Sequence, residues 1–274
     1  MSIHHNSMVN GIPNDKIPVY DRGLAYGDGF FETLYWHQGQ LQNWNYHWKR
    51  MQRSALVFQL KLPVEEDLIE DVAALNLSPE NDCVVKMIIT RGTGGRGYSP
   101  ANCTSTVRIV SCSALPDYSQ HKVDGISITL LNTVLGSQPM LAGLKHLNRL
   151  NQVFARIELE KTSYFEGLVC NQDGHVREVI ASNIFIVRKG KIITPPLTDC
   201  GVEGTVRAKI IHLFENSNTP IIIDNFTPNE LLLADEIFIT NSLLGVCPVI
   251  NVSGSSFPIG EQTRRISDMK PEFN

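Results

Sequence analysis

Residues 83–115, CVVKMIITRGTGGRGYSPANCTSTVRIVSCSAL, decide the fold class. The stretch opens and closes on runs rich in β-branched and aliphatic residues, CVVKMIITR and TSTVRIVSCSAL, which read as strands. Between them Gly92, Gly94 and Gly97 spell a formal G-x-G-x-x-G directly after a strand, where a dinucleotide fingerprint would sit. The context argues against that reading. A helix must open at the third glycine so that its first N–H groups can hold a pyrophosphate, yet Tyr98-Ser99-Pro100 leads through more loop into another strand. The stretch reads instead as two strands joined by a flexible glycine-rich loop, in which Arg91 and Arg96 can sample anions.

Working outward, a short strand pair is expected around Met8 to Ile12 and Val19, turning at Asn10-Gly11 and Pro13-Asn14. The glycine-rich run 21–36, DRGLAYGDGFFETLYW, follows and ends strand-like. From Asn43 to Leu60, Trp44, His47, Trp48, Met51, Ala55 and Phe58 recur at three- and four-residue steps, which predicts an amphipathic helix closed by Pro63, with Arg50 and Arg53 on its turns. A second helix is expected from Glu65 to Leu75. Pro116-Asp117 and the polar run to Asp124 read as a linker (116–123) between an N-terminal domain (1–115) and a C-terminal one (124–274). Beyond it the pattern predicts a strand GISITLLNTV, a helix from Leu147 to Thr162, and strands at Glu166 to Asn171, Asn183 to Val187 and Lys191 to Thr194. A helix from Gly204 to Asn216, strands at Ile221 to Asp224 and Glu236 to Thr240, and a helix after Pro258 complete the chain. Strands outnumber helices and short turns often join them, so the expected class is α+β rather than strict βαβ alternation.

Composition narrows the function classes. The 274 residues are 42% hydrophobic and 19% charged, which excludes wholesale disorder. Lys+Arg 24 against Asp+Glu 28 gives a net charge of −4, without the broad basic footprint that phosphate backbones attract, so no nucleic-acid partner is expected. No run approaches the roughly 18 apolar residues of a spanning helix, and MSIHHNSMVNGIPNDK lacks a secretory pattern. A cytoplasmic protein with no membrane partner is expected. The six cysteines form no CxxC pair and no zinc-ligand spacing, so reduced, mostly buried thiols and no metal are expected. The triplets Asn102-Cys103-Thr104 and Asn225-Phe226-Thr227 resemble glycosylation acceptors but lack a secretory context.

Few residues declare chemistry unaided. His47 and Arg50 share a helical face; either the helix packs on a core while its polar members snorkel, or the guanidinium is held rigidly for a bidentate contact with phosphate. Glu32, Glu178 and Glu203 are candidate carboxylates whose spacing gives no pairing. A Schiff-base lysine has no local spacing rule, only a need for a pocket that depresses its pKa. Lys145 is a candidate because it stands between Leu144 and Leu147, at the step from a loop into a helix.

Seven segments, DRGLAYGDGFFET, HWKRM, RGTGGRGYS, LAGLKHLNRLNQ, REVIASNIF, GVEGTVR and TNSLLGVCPV, together resemble the class IV (fold-type IV) pyridoxal-phosphate enzymes, in the family's order and from about Val19 to Pro248. The resemblance implies a smaller N-terminal α/β domain and a larger C-terminal pseudo-barrel domain, with pyridoxal 5'-phosphate in the cleft between them, in a homodimer. It assigns Lys145 to the covalent link with the cofactor and to later proton transfer, and Glu178 to the pyridine nitrogen. Arg50, the backbone of Thr205 and Val206 at a helix start, Asn241 and Ser242 are assigned to the phosphate.

Within the family, RGTGGRGYS and LKHLNRL look like the lyase branch that acts on 4-amino-4-deoxychorismate. Phe31 stands where D-amino-acid transaminases carry a tyrosine, and their Arg-x-His pattern is absent. The implied reaction is elimination of pyruvate to give 4-aminobenzoate for folate synthesis, with Phe31, Arg91, Arg96 and Tyr98 at the substrate. The alternative is a D-amino-acid or branched-chain amino-acid transaminase on the same fold.

Overall fold

β-rich runs in the first part of the chain pair into a single sheet in a computed structural model of the protein, which describes residues 7–269 apart from 104, 216 and 218. The first six residues of the expected non-secretory start, Thr104 of one glycosylation-type triplet and Asn216 of the helix expected after Gly204 lie outside the described residues. The elements up to Pro116 are β1 (Ser7–Val9), β2 (Ile12–Pro13), α1 (Arg22–Tyr26), β3 (Gly29–His37), β4 (Gln40–Leu41), α2 (Trp44–Phe58), α3 (Glu65–Ala74), β5 (Cys83–Thr90) and β6 (Val107–Ala114). After it come α4 (Ser119–Asp124), β7 (Ile126–Leu135), α5 (Leu150–Leu159), β8 (Glu166–Asn171), β9 (Val176–Val179), β10 (Asn183–Arg188) and β11 (Lys191–Thr194). The last are α6 (Thr205–Phe214), β12 (Ile222–Ile223), α7 (Pro228–Leu231), β13 (Glu236–Asn241), β14 (Gly245–Val252), β15 (Ser255–Ser256) and α8 (Glu261–Asp268).

Two compact units result: the chain to Pro116 together with Leu144–Asn148, and Asp117–Gly143 together with Arg149–Asn274. The first holds a six-stranded antiparallel sheet in the order β2-β1-β6-β5-β3-β4. β5 and β6 pair from Cys83↔Ala114 to Thr90↔Val107, so the glycine-rich stretch is a hairpin loop and no helix opens in it. Phe30 and Leu34 of β3 join Met51 and Ala55 of α2 and Leu68 and Val72 of α3 in the buried core. α2 stops at Gln59 rather than at Pro63, because Gln59 adopts a left-handed conformation (φ 49) and returns its N–H to Ala55 and Leu56.

The second unit holds a nine-stranded mixed sheet in the order β12-β11-β10-β13-β14-β7-β8-β9, with β15 paired to β14. β9 lies at one end of that order and β10 near the other, yet residues 180–182 alone connect them, with a bridge between Val179 and Ser182. A flat sheet cannot satisfy so short a link, so the sheet curls around a core of Ile128, Leu168, Ile184, Ile186, Ile237, Ile239 and Val249. Phe185, Val187 and Phe238 point the other way, against Val206, Ile210 and Phe214 of α6. Both faces of β10 are therefore buried, which explains why NIFIVR reads as a continuous apolar run.

Other features also differ from the sequence reading, among them Val19, which lies in a turn and not in the first strand pair. The expected linker 116–123 is partly helical, because the Asp117 carboxylate accepts both the backbone N–H and the hydroxyl of Ser119 and starts α4. The helix expected from Leu147 begins at Leu150, because residues 145–147 are spent as an extended segment along β3. β9, of only four residues, and β14, which contains Pro248, were not anticipated. Among the described residues no helix is long and apolar enough to cross a membrane. All six cysteines are free thiols, three of them buried.

Candidate active site

In the first unit the site begins with strand alternation. Phe30, Glu32 and Leu34 face the core side of β3, so Glu32 is a carboxylate set in an apolar row, 1% exposed. α2 answers it with the two residues at i, i+3 spacing. Arg50 Nε donates to Glu32 Oε1 at 2.8 Å while a second guanidinium nitrogen reaches Oε2, and His47 Nδ1 lies 2.6 Å from Oε2. Burial alone would raise the Glu32 pKa; the charge and hydrogen bonds of Arg50, with His47, outweigh it and bring it down to about 2. Burial depresses the His47 pKa, and the positive charges of Arg50 and Lys145 add to the effect. The polar members of α2 thus turn inward to a buried partner instead of snorkelling to solvent.

Lys145 belongs to the same unit. Phe31 N–H donates to the Lys145 carbonyl at 2.9 Å and Leu147 N–H to the Gly29 carbonyl at 3.0 Å, an antiparallel pairing about Phe30↔His146. This extends the sheet at the first half of β3 and seats the Lys145 Nζ 4.5 Å from the centroid of the Phe31 ring. The Lys86 ammonium is 5.2 Å from the same ring.

The hairpin loop separates the three residues assigned to the substrate. Tyr98 is 85% exposed and Arg96 is exposed. Arg91 is committed elsewhere: Nε to Asp28 at 2.8 Å, and its terminal nitrogens to the Gln59 and Phe58 carbonyls at 3.2 and 2.7 Å. A fork so occupied pins the end of α2. Arg22, which the sequence reading overlooked, is 4% exposed and shapes the loop. It donates to Asp28 at 2.8 Å and to the carbonyls of Gly97, Tyr98 and Ser99 at 3.0, 2.9 and 3.4 Å.

The second unit supplies the remaining candidates. Glu178 sits on β9, 4% exposed, and its Oε2 accepts the Val202 N–H at 2.8 Å. Asn183, at the start of β10, accepts the Gly204 N–H at 3.0 Å and donates to the Val202 carbonyl at 2.7 Å. A Cβ on Gly204 would fall 2.1 Å from Asn183 Oδ1, so only glycine fits there. α6 then opens at Thr205 with no side-chain cap. Its first-turn N–H groups have no acceptor within the helix and carry its positive end. Thr240, 1% exposed, pairs with Asn183 across the sheet, which puts both side chains on one face; its hydroxyl has no hydrogen-bond partner among the described residues. Arg207, buried one turn on, donates to Thr194 and to the Pro195 carbonyl at 3.3 and 2.9 Å.

Asn241 is used locally. Its Oδ1 accepts the Leu243 and Leu244 N–H groups at 2.9 and 2.7 Å and its amide donates to Ser182 at 2.8 Å, so it builds the turn that carries Ser242. Glu203, with a side chain 37% exposed, stands 3.6 Å from Arg207 as an i, i+4 partner. Glu32, Glu178 and Glu203 form no carboxylate pair: Glu32 is committed to Arg50 and His47, Glu178 to Val202, and Glu203 to Arg207.

An α+β chain with a curled mixed sheet, a lysine on an extended segment and an uncapped helix start defines a class, and the sequence pattern described as amino-transferase class IV matches residues 29–252. The chain belongs to this fold-type IV family, whose members use pyridoxal 5'-phosphate. It is 36% identical over 263 residues to the aminodeoxychorismate lyase of Vibrio harveyi, covering 94% of this chain and 97% of that protein. It is similar also to the crystal structure of 4-amino-4-deoxychorismate lyase from Pseudomonas aeruginosa, with a TM-score of 0.90, 38% identity and coverage of 96% and 97%. The D-alanine aminotransferase of Bacillus licheniformis is 27% identical over 252 residues, covering 89% of this chain and 86% of that protein.

The residues present fit the cofactor. A phosphate needs clustered donors, and the α6 start offers backbone N–H groups beside the partnerless buried Thr240 hydroxyl. A pyridinium needs a buried carboxylate, which Glu178 is.

Proposed function

We propose that this chain is an aminodeoxychorismate lyase, which eliminates pyruvate from 4-amino-4-deoxychorismate and leaves 4-aminobenzoate. The observation that carries the reading is its similarity, over nearly their full lengths, to two enzymes of that name, with higher identity than to the D-alanine aminotransferase. When bound, pyridoxal phosphate supplies an electrophilic carbonyl for an amine and a protonated ring that withdraws electrons from the carbon bearing it.

The chain's residues do the rest. Lys145 Nζ would hold the cofactor, and as a free amine it would take the proton from the amine-bearing carbon of the substrate. Glu178 keeps the pyridine nitrogen protonated, an acceptor role suited to a buried carboxylate. Arg50, the Thr205 and Val206 N–H groups and Ser242 hold the phosphate, with Thr240 added to that set. Glu32 fixes the plane of the Arg50 guanidinium by its two-point contact. Phe31 presents an apolar ring beside Lys145, and Arg96 and Tyr98 on the exposed loop receive the substrate carboxylates.

Lys145→Ala should abolish release of pyruvate and 4-aminobenzoate while leaving the circular-dichroism spectrum unchanged. A 2-oxo acid and a new amino acid from wild type, in place of those products, would establish the transaminase instead. A cytoplasmic homodimer completes the reading. The free thiols suit a reducing compartment. The dimer is supported by α5, whose Leu150, Val153, Phe154 and Ile157 are 62, 48, 54 and 49% exposed on one face. A two-fold axis between Val153 and Phe154 would set Leu150 against Ile157 of a second copy, a self-complementary stripe. Phe154→Asp should then shift sedimentation to the monomer.

A further inference from the structure

The loop from Asp199 to Gly204 touches several parts of the candidate site that lie in its unit. Its Val202 N–H holds the Glu178 carboxylate, and its end opens α6. Gly143, two positions before Lys145, donates to the Gly201 carbonyl and accepts the Glu203 N–H, each at 3.0 Å, as a parallel bridge with Val202. Movement of this one loop would displace the Glu178 carboxylate, the Gly143 backbone and the start of α6 together.

Asp199 anchors it. Its Oδ1 accepts Arg177 Nε at 2.8 Å, its Oδ2 accepts Asn171 Nδ2 at 2.7 Å and a second Arg177 nitrogen at 3.3 Å, and its carbonyl accepts the Gln138 N–H at 2.7 Å. Arg177 is 5% exposed and is fixed in turn by Asn225 Oδ1 at 2.8 Å and the Val176 carbonyl at 3.2 Å. Arg177 and Glu178 are neighbours on β9, the last strand of the sheet order, and successive strand residues point to opposite faces. They therefore grip the loop from both sides of the edge strand, at Asp199 and at Val202.

We infer that Asp199 and Arg177 are a positioning pair that holds this loop so that Glu178 meets the pyridine nitrogen and the strand to Lys145 keeps its register. The inference rests on the pyridoxal-phosphate reading of the site. A fork contact between the buried Arg177 guanidinium and the partly buried Asp199 carboxylate fixes orientation as well as distance, which a neutral pair does not.

The test compares wild type with Asp199→Asn, which keeps the shape and removes the charge, and with Arg177→Lys, which keeps the charge and removes the fork. Hydrogen exchange of the cofactor-free proteins should quicken in peptides covering 138–143 and 199–204 and stay unchanged over β5. Pyridoxal-phosphate affinity, titrated by fluorescence, should fall about tenfold in Asp199→Asn, the scale of one lost charge-assisted bond, and less in Arg177→Lys. The pH midpoint of the cofactor's visible band should move as well. A folded Asp199→Asn with wild-type exchange, affinity and midpoint overturns the inference. If that variant does not fold, Arg177→Lys is read against the same three measurements with the same consequence. The cofactor reading fails separately, if wild type and Lys145→Ala give the same spectrum with pyridoxal phosphate; the exchange measurement then still decides whether the pair holds the loop.

Discussion

The two loops rich in glycine, 92–103 and 197–204, share backbone anchoring and differ in the use of their own side chains. The first is held through its backbone: Arg22 gathers the carbonyls of Gly97, Tyr98 and Ser99, and the side chains of Arg96 and Tyr98 are left to solvent. The second has backbone contacts as well, Val202 N–H to Glu178 and Gly204 N–H to Asn183, but it is anchored in addition by its own side chains, Asp199 on Arg177 and the buried Cys200 and Leu197. A backbone-held loop can change its side chains without losing its course. A loop whose side chains are its anchors cannot. Under the proposed function, the difference separates the loop assigned to the substrate from the loop assigned to the cofactor's partners, as expected where one fold serves both lyases and transaminases.

Gly204→Ala should break the comparison most sharply. The added methyl would displace Asn183, overpacking a filled site at about 1–3 kcal/mol and removing hydrogen bonds worth about 1 kcal/mol each. Cofactor affinity should drop by about a hundredfold, measured by fluorescence titration; an unchanged affinity would mean that the second loop is as adaptable as the first. Arg22→Met comes next. It leaves three carbonyls and one Asp28 contact without their donor, so the denaturant midpoint should fall by an amount equivalent to about 2–3 kcal/mol, while cofactor affinity stays within about twofold of wild type. Arg96→Ala should have the smallest effect on stability, within about 0.5 kcal/mol. The KM for the dianionic substrate should nevertheless rise far more than that for a monocarboxylate amino acid. Equal changes for both would remove Arg96 from recognition.

The long elements were legible because their periods are strong. The apolar steps from Trp44 to Phe58 and the β-branched runs of β5 and β6 need no tertiary information. The failures share a cause: tertiary pairing overrode local preference. Leu147 looks helical beside Leu150, yet its N–H pairs with the open edge of β3. β9 is four residues long and carries two adjacent charges, so no window of alternation could identify it. For the candidate site, Lys145 was one candidate lysine and Glu178 one of three carboxylates without a pairing, and only the family resemblance assigned them roles. Glu32 did leave a trace, a carboxylate in the apolar phase between Phe30 and Leu34, and that kind of misplaced charge could have pointed to a buried partner on α2. Arg22 and Arg177 left none, since a buried arginine and a solvated one read alike in a single sequence.

The extended segment at Lys145 also bears on how the chain is made. The first half of β3 is completed by residues that emerge from the ribosome more than a hundred positions later, after β7 of the other unit. Until Leu147 is available, Gly29 and Phe31 present unpaired peptide groups at an open strand edge, a surface on which nascent chains can cross-pair. The same geometry limits protein engineering: a fragment ending at Pro116 lacks this completing strand, so cutting the chain between its two main stretches would yield an unfinished sheet rather than a separable domain.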